Sequence, residues 1–109
     1  MAVLIKVAET YSKTPGGRTR ADGPFSGEDF RESVLVHKYL EAKQRGEQLI
    51  VDLDGGYGYG TSFLEEAFGG LARKLKDENL RNIKIISEEE PKLVEDVFDY
   101  INDALVQKS

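Results

Sequence analysis

Asp52-Leu53-Asp54 runs into Gly55-Gly56-Tyr57-Gly58-Tyr59-Gly60 and then into Thr61-Ser62. Two carboxylates, a glycine-rich turn and two hydroxyls therefore lie in one short stretch, behind the apolar run Leu49-Ile50-Val51. Each group suggests a chemistry. The hydroxyls can accept a phosphoryl group or contact a partner. The glycines can let backbone N–H groups close around an anion. The carboxylates can serve phosphoryl transfer, or they can simply cap loop N–H groups at a strand end. Further upstream, Arg18 and Arg20 could hold a phosphate or an acidic surface bidentately, or stand solvated in a loop. Tyr57 and Tyr59 are aromatics of the kind that enrich protein contacts. Glu65 and Glu66 follow one turn after Ser62.

The elements that must position these groups follow from the pattern. A short apolar run bounded by turn residues reads as a buried strand, here Gln48 to Leu53. Ser62 with Glu65 three residues later is a capping-box spacing, which predicts a helix N-terminus at Ser62. Its apolar face would be Phe63, Leu64, Ala67, Phe68, Leu71 and Leu75, ending near Lys76, with Glu65 and Glu66 on the exposed side. Gly69-Gly70 inside it predicts close approach of a neighbouring element, since two glycines in a helix interior cost about 1 kcal/mol each. Thr61 and Ser62 would thus sit at a helix N-terminus beyond the carboxyl end of a strand. Sites are built there in open α/β sheets, and the helix end favours negative charge.

Upstream, Ala2 to Ala8 predicts a strand. Residues 12–24, with glycine, proline and two arginines, predict a long functional or mobile loop. Ser26 predicts an N-cap with Glu28 and Asp29 in the first turn. The helix then runs to Arg45, with Phe30, Val34 and His37 on one face, Leu40 beside them, and Gly46 as its terminator. Downstream, Ile83 to Ile86 predicts a third strand. Pro91 predicts the start of a last helix with Leu93, Val94, Val97, Phe98, Ile101 and Leu105 inward. Alternation of this kind predicts one α/β domain over residues 1–109 in βαβαβα order, its largely parallel sheet flanked by helices.

Composition narrows the function classes. The 109 residues carry 20 acidic and 15 basic side chains, a formal net charge of -5. That disfavours nonspecific binding to nucleic acid or anionic membrane. With no cysteine, disulfides, thiolate catalysis and cysteine-bound metals are excluded. His37 is the single histidine, so no site can use two imidazoles of one chain. The absence of a long apolar stretch or signal-peptide pattern predicts a cytoplasmic protein. No cofactor is expected.

The stretch around residues 49–72 resembles the signature of STAS domains, the fold of bacterial anti-sigma-factor antagonists. More closely, the chain resembles a STAS-like family of uncharacterised function, through Phe25-Ser26-Gly27-Glu28-Asp29-Phe30-Arg31 and Gly60-Thr61-Ser62-Phe63-Leu64-Glu65-Glu66-Ala67-Phe68-Gly69-Gly70-Leu71. In the antagonists, an Asp-Ser-Ser-Gly motif opens a helix after the strand. Counting without a gap from Asp52, Gly60 falls at the motif Asp, Thr61 at the first Ser, Ser62 at the phosphorylatable Ser and Phe63 at the Gly. The resemblance implies a signalling module that is not an enzyme. It also implies a protein partner, a histidine-kinase-like ATPase acting as serine kinase, whose binding is switched at Ser62. Tyr57, Gly58, Tyr59, Gly60, Thr61, Glu65, Glu66, Arg18 and Arg20 would form the contact surface. Two other readings stay open. Val51-Asp52-Leu53-Asp54-Gly55 also resembles the nucleophile motif of haloacid-dehalogenase-like phosphatases, which implies a magnesium-dependent phosphatase or phosphotransfer enzyme using Asp52 and Asp54. The glycine loop with Arg18 and Arg20 could instead sense an anion or nucleotide.

Overall fold

The computed structural model describes residues 2–106. Three strands, β1 (Ala2–Lys6), β2 (Gln48–Asp52) and β3 (Lys84–Ile86), form a wholly parallel sheet in the order β1-β2-β3. Leu4 is level with Ile50 and Ile50 with Lys84; Lys6 is level with Asp52 and Asp52 with Ile86. Helix α1 follows β1, comprising Gly27–Phe30, a π turn at Arg31–Leu35 and Val36–Arg45 without a break. Helix α2 follows β2 in the same style, comprising Thr61–Leu64, a π turn at Glu65–Gly69 and Gly70–Leu75. Helix α3 spans Lys92–Val106. The expected element order holds. Among the described residues no helix is long and apolar enough to cross a membrane.

Alternation along each strand sends one set of side chains into the core. Val3, Ile5, Leu49, Val51 and Ile85 pack with Phe30, Phe63, Phe68, Leu71, Val97 and Ile101 in one cluster. Three aromatic rings meet at its centre, Phe30 lying 5.7 Å from Phe63 and 6.5 Å from Phe68. The opposite set is Ala2, Leu4, Lys6, Gln48, Ile50, Asp52, Lys84 and Ile86. None of these is buried.

Two expectations need correction. The first strand ends at Lys6, not Ala8, because the Val7 carbonyl accepts the amides of Tyr11 and Ser12, both at 2.9 Å, and coils the chain. The inward face of α1 keeps Phe30, with Val34 partly buried beside the core, but not His37 and Leu40. His37 is exposed and Leu40 is 45% exposed, while Leu35, Val36, Tyr39 and Ala42 are buried. The π turn is the cause. One extra residue in a turn advances every later side chain by about 100°.

The loop over residues 12–24 is a folded strap. Gly16 N–H donates to Phe25 O at 2.9 Å, and the amides of Gly27 and Glu28 donate to Gly17 O and Arg18 O, both at 3.0 Å. The strap carbonyls thereby satisfy donors that a helix N-terminus leaves unpaired. Ser26 accepts from Asp29 N–H at 3.0 Å, the expected cap.

Candidate functional site

Beyond the carboxyl end of β2, the two carboxylates are committed to backbone. Asp52 Oδ1 accepts the Asp54 amide at 2.9 Å. Asp54 accepts the amides of Glu88 and Glu89 at 3.0 and 2.9 Å. This pair fastens the β2 loop to the loop leaving β3. Among the described residues no group of three His, Cys, Asp or Glu side chains is placed to hold a metal ion.

The glycine loop is tied down in the same way. Gly55 and Gly58 take positive φ, 93° and 128°, a backbone region that glycine enters without steric cost. Gly55 N–H donates to Glu89 at 2.9 Å, and Tyr57 N–H donates to Lys13 O at 2.9 Å. A cavity of about 140 Å³ opens beside the loop, lined among others by Asp54, Tyr59, Ser87, Glu89 and Glu90. Its carboxylates would repel a phosphate, so the loop is poorly built for the anion or nucleotide reading. Tyr57 stands out from the loop, 83% exposed.

Tyr59 turns inward. Its ring lies 5.9 Å from Phe63, and its buried hydroxyl has no hydrogen-bond partner among the described residues. Burial pushes its pKa up, and the charges of Asp52, Asp54 and Glu89 push it further. An unpaired buried hydroxyl costs about 1–3 kcal/mol. Tyr59→Phe, which keeps the ring, is therefore expected to raise stability by about 1 kcal/mol in urea titration. A loss of stability would show that the hydroxyl is satisfied.

Thr61 and Ser62 are exposed at the start of α2. Here the capping expectation fails. Gly60 is the N-cap, no side chain caps the turn, and Ser62 is already helical. Glu65 cannot reach back to complete a capping box, because its carboxylate is held by Arg73 at 2.6 Å and by Arg18 at 2.6 Å.

Arg18 also reaches Glu66 at 3.2 Å. Arg31, its side chain 13% exposed, binds the other Glu66 oxygen at 2.7 Å and the Glu66 carbonyl at 2.8 Å. Hydrogen bonds from Arg73 lead in holding the Glu65 carboxyl below its usual range. Burial raises Glu66, and the bonds from Arg31 and Arg18 outweigh it, leaving its pKa lowered. Arg18 and the two glutamates, expected as solvent-facing contacts, are thus spent on one another. Arg20 lies apart, on Asp29 at 3.2 Å. The expected close approach of a neighbouring element occurs at Gly70, where a Cβ would collide with the Arg31 guanidinium of α1; at Gly69 a Cβ would instead crowd Glu65 of the same helix, 2.7 Å from its Oε2.

The family described as STAS-like domain of unknown function (DUF4325) matches residues 26–93, more than half of the chain. The chain belongs to that family. No curated protein and no solved structure matches it. The matched span starts at the N-cap of α1 and reaches the first turn of α3. Of the expected contact residues in the β2–α2 stretch, Tyr57, Gly60, Thr61 and Ser62 are exposed, while Arg18, Glu65 and Glu66 are paired with one another.

Three residues of the STAS-like domain escaped the sequence reading. Arg31 anchors α1 to α2 through a partner 35 positions away. Tyr11 donates to Asp29 at 2.6 Å and packs edge-on against Phe25, holding the strap to α1. Gly27 lets α1 touch the α2 backbone. Gly27 and Arg31 lie in the Phe25–Arg31 motif that carries the resemblance, which assigns them no role, and nothing in the sequence singles out Tyr11.

Proposed function

We propose that this STAS-like domain is a cytoplasmic regulatory interaction module whose partner is a serine kinase of the histidine-kinase-like ATPase type. The observation that carries the reading is the placement of Ser62. Its hydroxyl is exposed at the N-terminal turn of α2, beside the exposed Tyr57 loop, at the motif position where the antagonists carry their phosphorylatable serine. Transfer of the ATP γ-phosphoryl group to Ser62 Oγ would release its proton and ADP.

The electrostatics support a switch of surface rather than of fold. A phosphate on Ser62 would add about two negative charges at a helix N-terminus, where the dipole favours them. Glu65 and Glu66, one turn away, are already neutralised by Arg18, Arg31 and Arg73. Arg18, with its side chain 42% exposed, would have to release Glu65 and Glu66 to turn toward the phosphate. A partner seated on Tyr57 and Ser62 would lose its fit without the core moving.

Wild type immobilised against native lysate is expected to retain one ATPase that Ser62→Asp does not. Tyr57→Ala is expected to weaken the same contact about 30-fold, as a truncated aromatic anchor costs about 2 kcal/mol. Because Tyr57 is solvent-exposed, that loss cannot be blamed on unfolding. Identical captured proteins for wild type and both variants would refute the switch.

A further inference from the structure

Parallel sheets occur almost only with both faces covered. Among the described residues every buried strand side chain points to the helical side, and the opposite face carries none, its Ile50 and Ile86 being half-buried. Three aliphatics cross that face on a diagonal. Leu4 on β1 and Ile50 on β2 are level, and Ile86 on β3 lies two residues further along the strand direction. Leu4 is 50% exposed. A lysine stands on either flank of the diagonal, with Lys6 beyond it on β1 and Lys84 before it on β3. Both are exposed.

We infer that this open face is a second docking surface, and that its occupant is an amphipathic helix of a partner protein with acidic residues on both sides of its apolar stripe. The dimensions suit a helix. The two edge strands are about 10 Å apart, since neighbouring strands are spaced by about 4.8 Å, and a helix with side chains is about 10–12 Å across. An apolar stripe laid over Leu4, Ile50 and Ile86 would therefore place its flanks over Lys6 and Lys84.

Charge selects this occupant over a second copy. The chain as a whole is at -5, yet the open face offers two lysines against Asp52, whose Oδ1 is already tied to the Asp54 amide. The Lys6 partner, Glu9, is itself exposed and 3.6 Å away, a pair of little worth in water. Two copies stacked on this face would gather four lysines in one interface with only the two Asp52 carboxylates on the same face. An acidic helix neutralises both. This surface is separate from the Tyr57–Ser62 site and does not depend on it.

The test uses the full chain and two synthetic helical peptides of about 18 residues, long enough to span the sheet. Both carry a leucine stripe, flanked by glutamate in one and by lysine in the other. Fluorescence anisotropy is expected to show the glutamate peptide bound at least about tenfold more tightly. Lys6→Glu with Lys84→Glu should reverse that preference, and Leu4→Asp, at an exposed position, should abolish both. Tyr57→Ala and Ser62→Asp should leave the binding unchanged, which separates this surface from the proposed switch. Absence of binding, or equal binding of the two peptides, would overturn the inference. So would sedimentation of the free chain as a dimer that Leu4→Asp dissolves, because a second copy would then be the occupant.

Discussion

Gly27→Ala is expected to destabilise the protein by about 3 kcal/mol, the upper end of ordinary overpacking. A Cβ at this position would collide with the carbonyl oxygen of Phe63 and lie 2.9 Å from Glu66 Cβ and 3.2 Å from the Ala67 amide. Backbone on a facing helix cannot rotate aside as a flexible side chain can. The only relief is to move α1 away from α2. That movement would pull Phe30 from Phe63 and Arg31 from Glu66, contacts made by the next residues of the same helix. Gly16→Ala is the matched control, since a Cβ there meets nothing within 4 Å, and it should stay within about 0.5 kcal/mol of wild type. Urea titrations of the two variants at unchanged m-value make the comparison. Equal stabilities would mean that α1 and α2 do not touch at Gly27.

The same helix contact shows where sequence reading succeeds and where it stops. Ser26, with acids following, is a local signal, and the cap forms as expected. Gly46 is equally local, and it ends α1 in the left-handed region with φ 67°. The strand-helix alternation is a pattern of neighbours, and the parallel sheet follows from it. The failures come from helix irregularity and from contacts distant in sequence. Period counting assumes an unbroken α-helix, so the π turn at Arg31–Leu35 rotated His37 and Leu40 out of the predicted face. The Ser62 capping box was reasonable in isolation, but it lost to arginines 47 positions upstream and 8 downstream that hold Glu65. Arg18 looked like a solvent-facing phosphate clamp because its glutamates are far away in sequence and close only in the fold.

Those nonlocal pairs carry a second measurable consequence, centred on Arg31. Its guanidinium joins Glu32 at 2.9 Å, Glu66 at 2.7 Å and the Glu66 carbonyl at 2.8 Å. Arg31→Met keeps much of the apolar stem but leaves Glu66, its side chain 18% exposed, short of its closest partner. Unpairing a buried charge costs about 3–5 kcal/mol. Arg18 still reaches Glu66, so a loss of about 2–3 kcal/mol at neutral pH is expected. The pH profile distinguishes charge from packing. Glu32 is lowered from 4.5 to about 2, first by Arg31 and then by Lys74. Glu66 is lowered as well, because its arginine bonds outweigh its burial. Carboxylates with lowered folded-state pKa values give their full stabilisation above the unfolded value near 4.5. That stabilisation is lost as pH falls through the folded values. The wild-type advantage over Arg31→Met should therefore be constant from neutral pH to about 5 and shrink toward pH 2. A gap that stayed the same down to pH 2 would assign Arg31 a packing role, and the charge network between α1 and α2 would then contribute nothing measurable to stability.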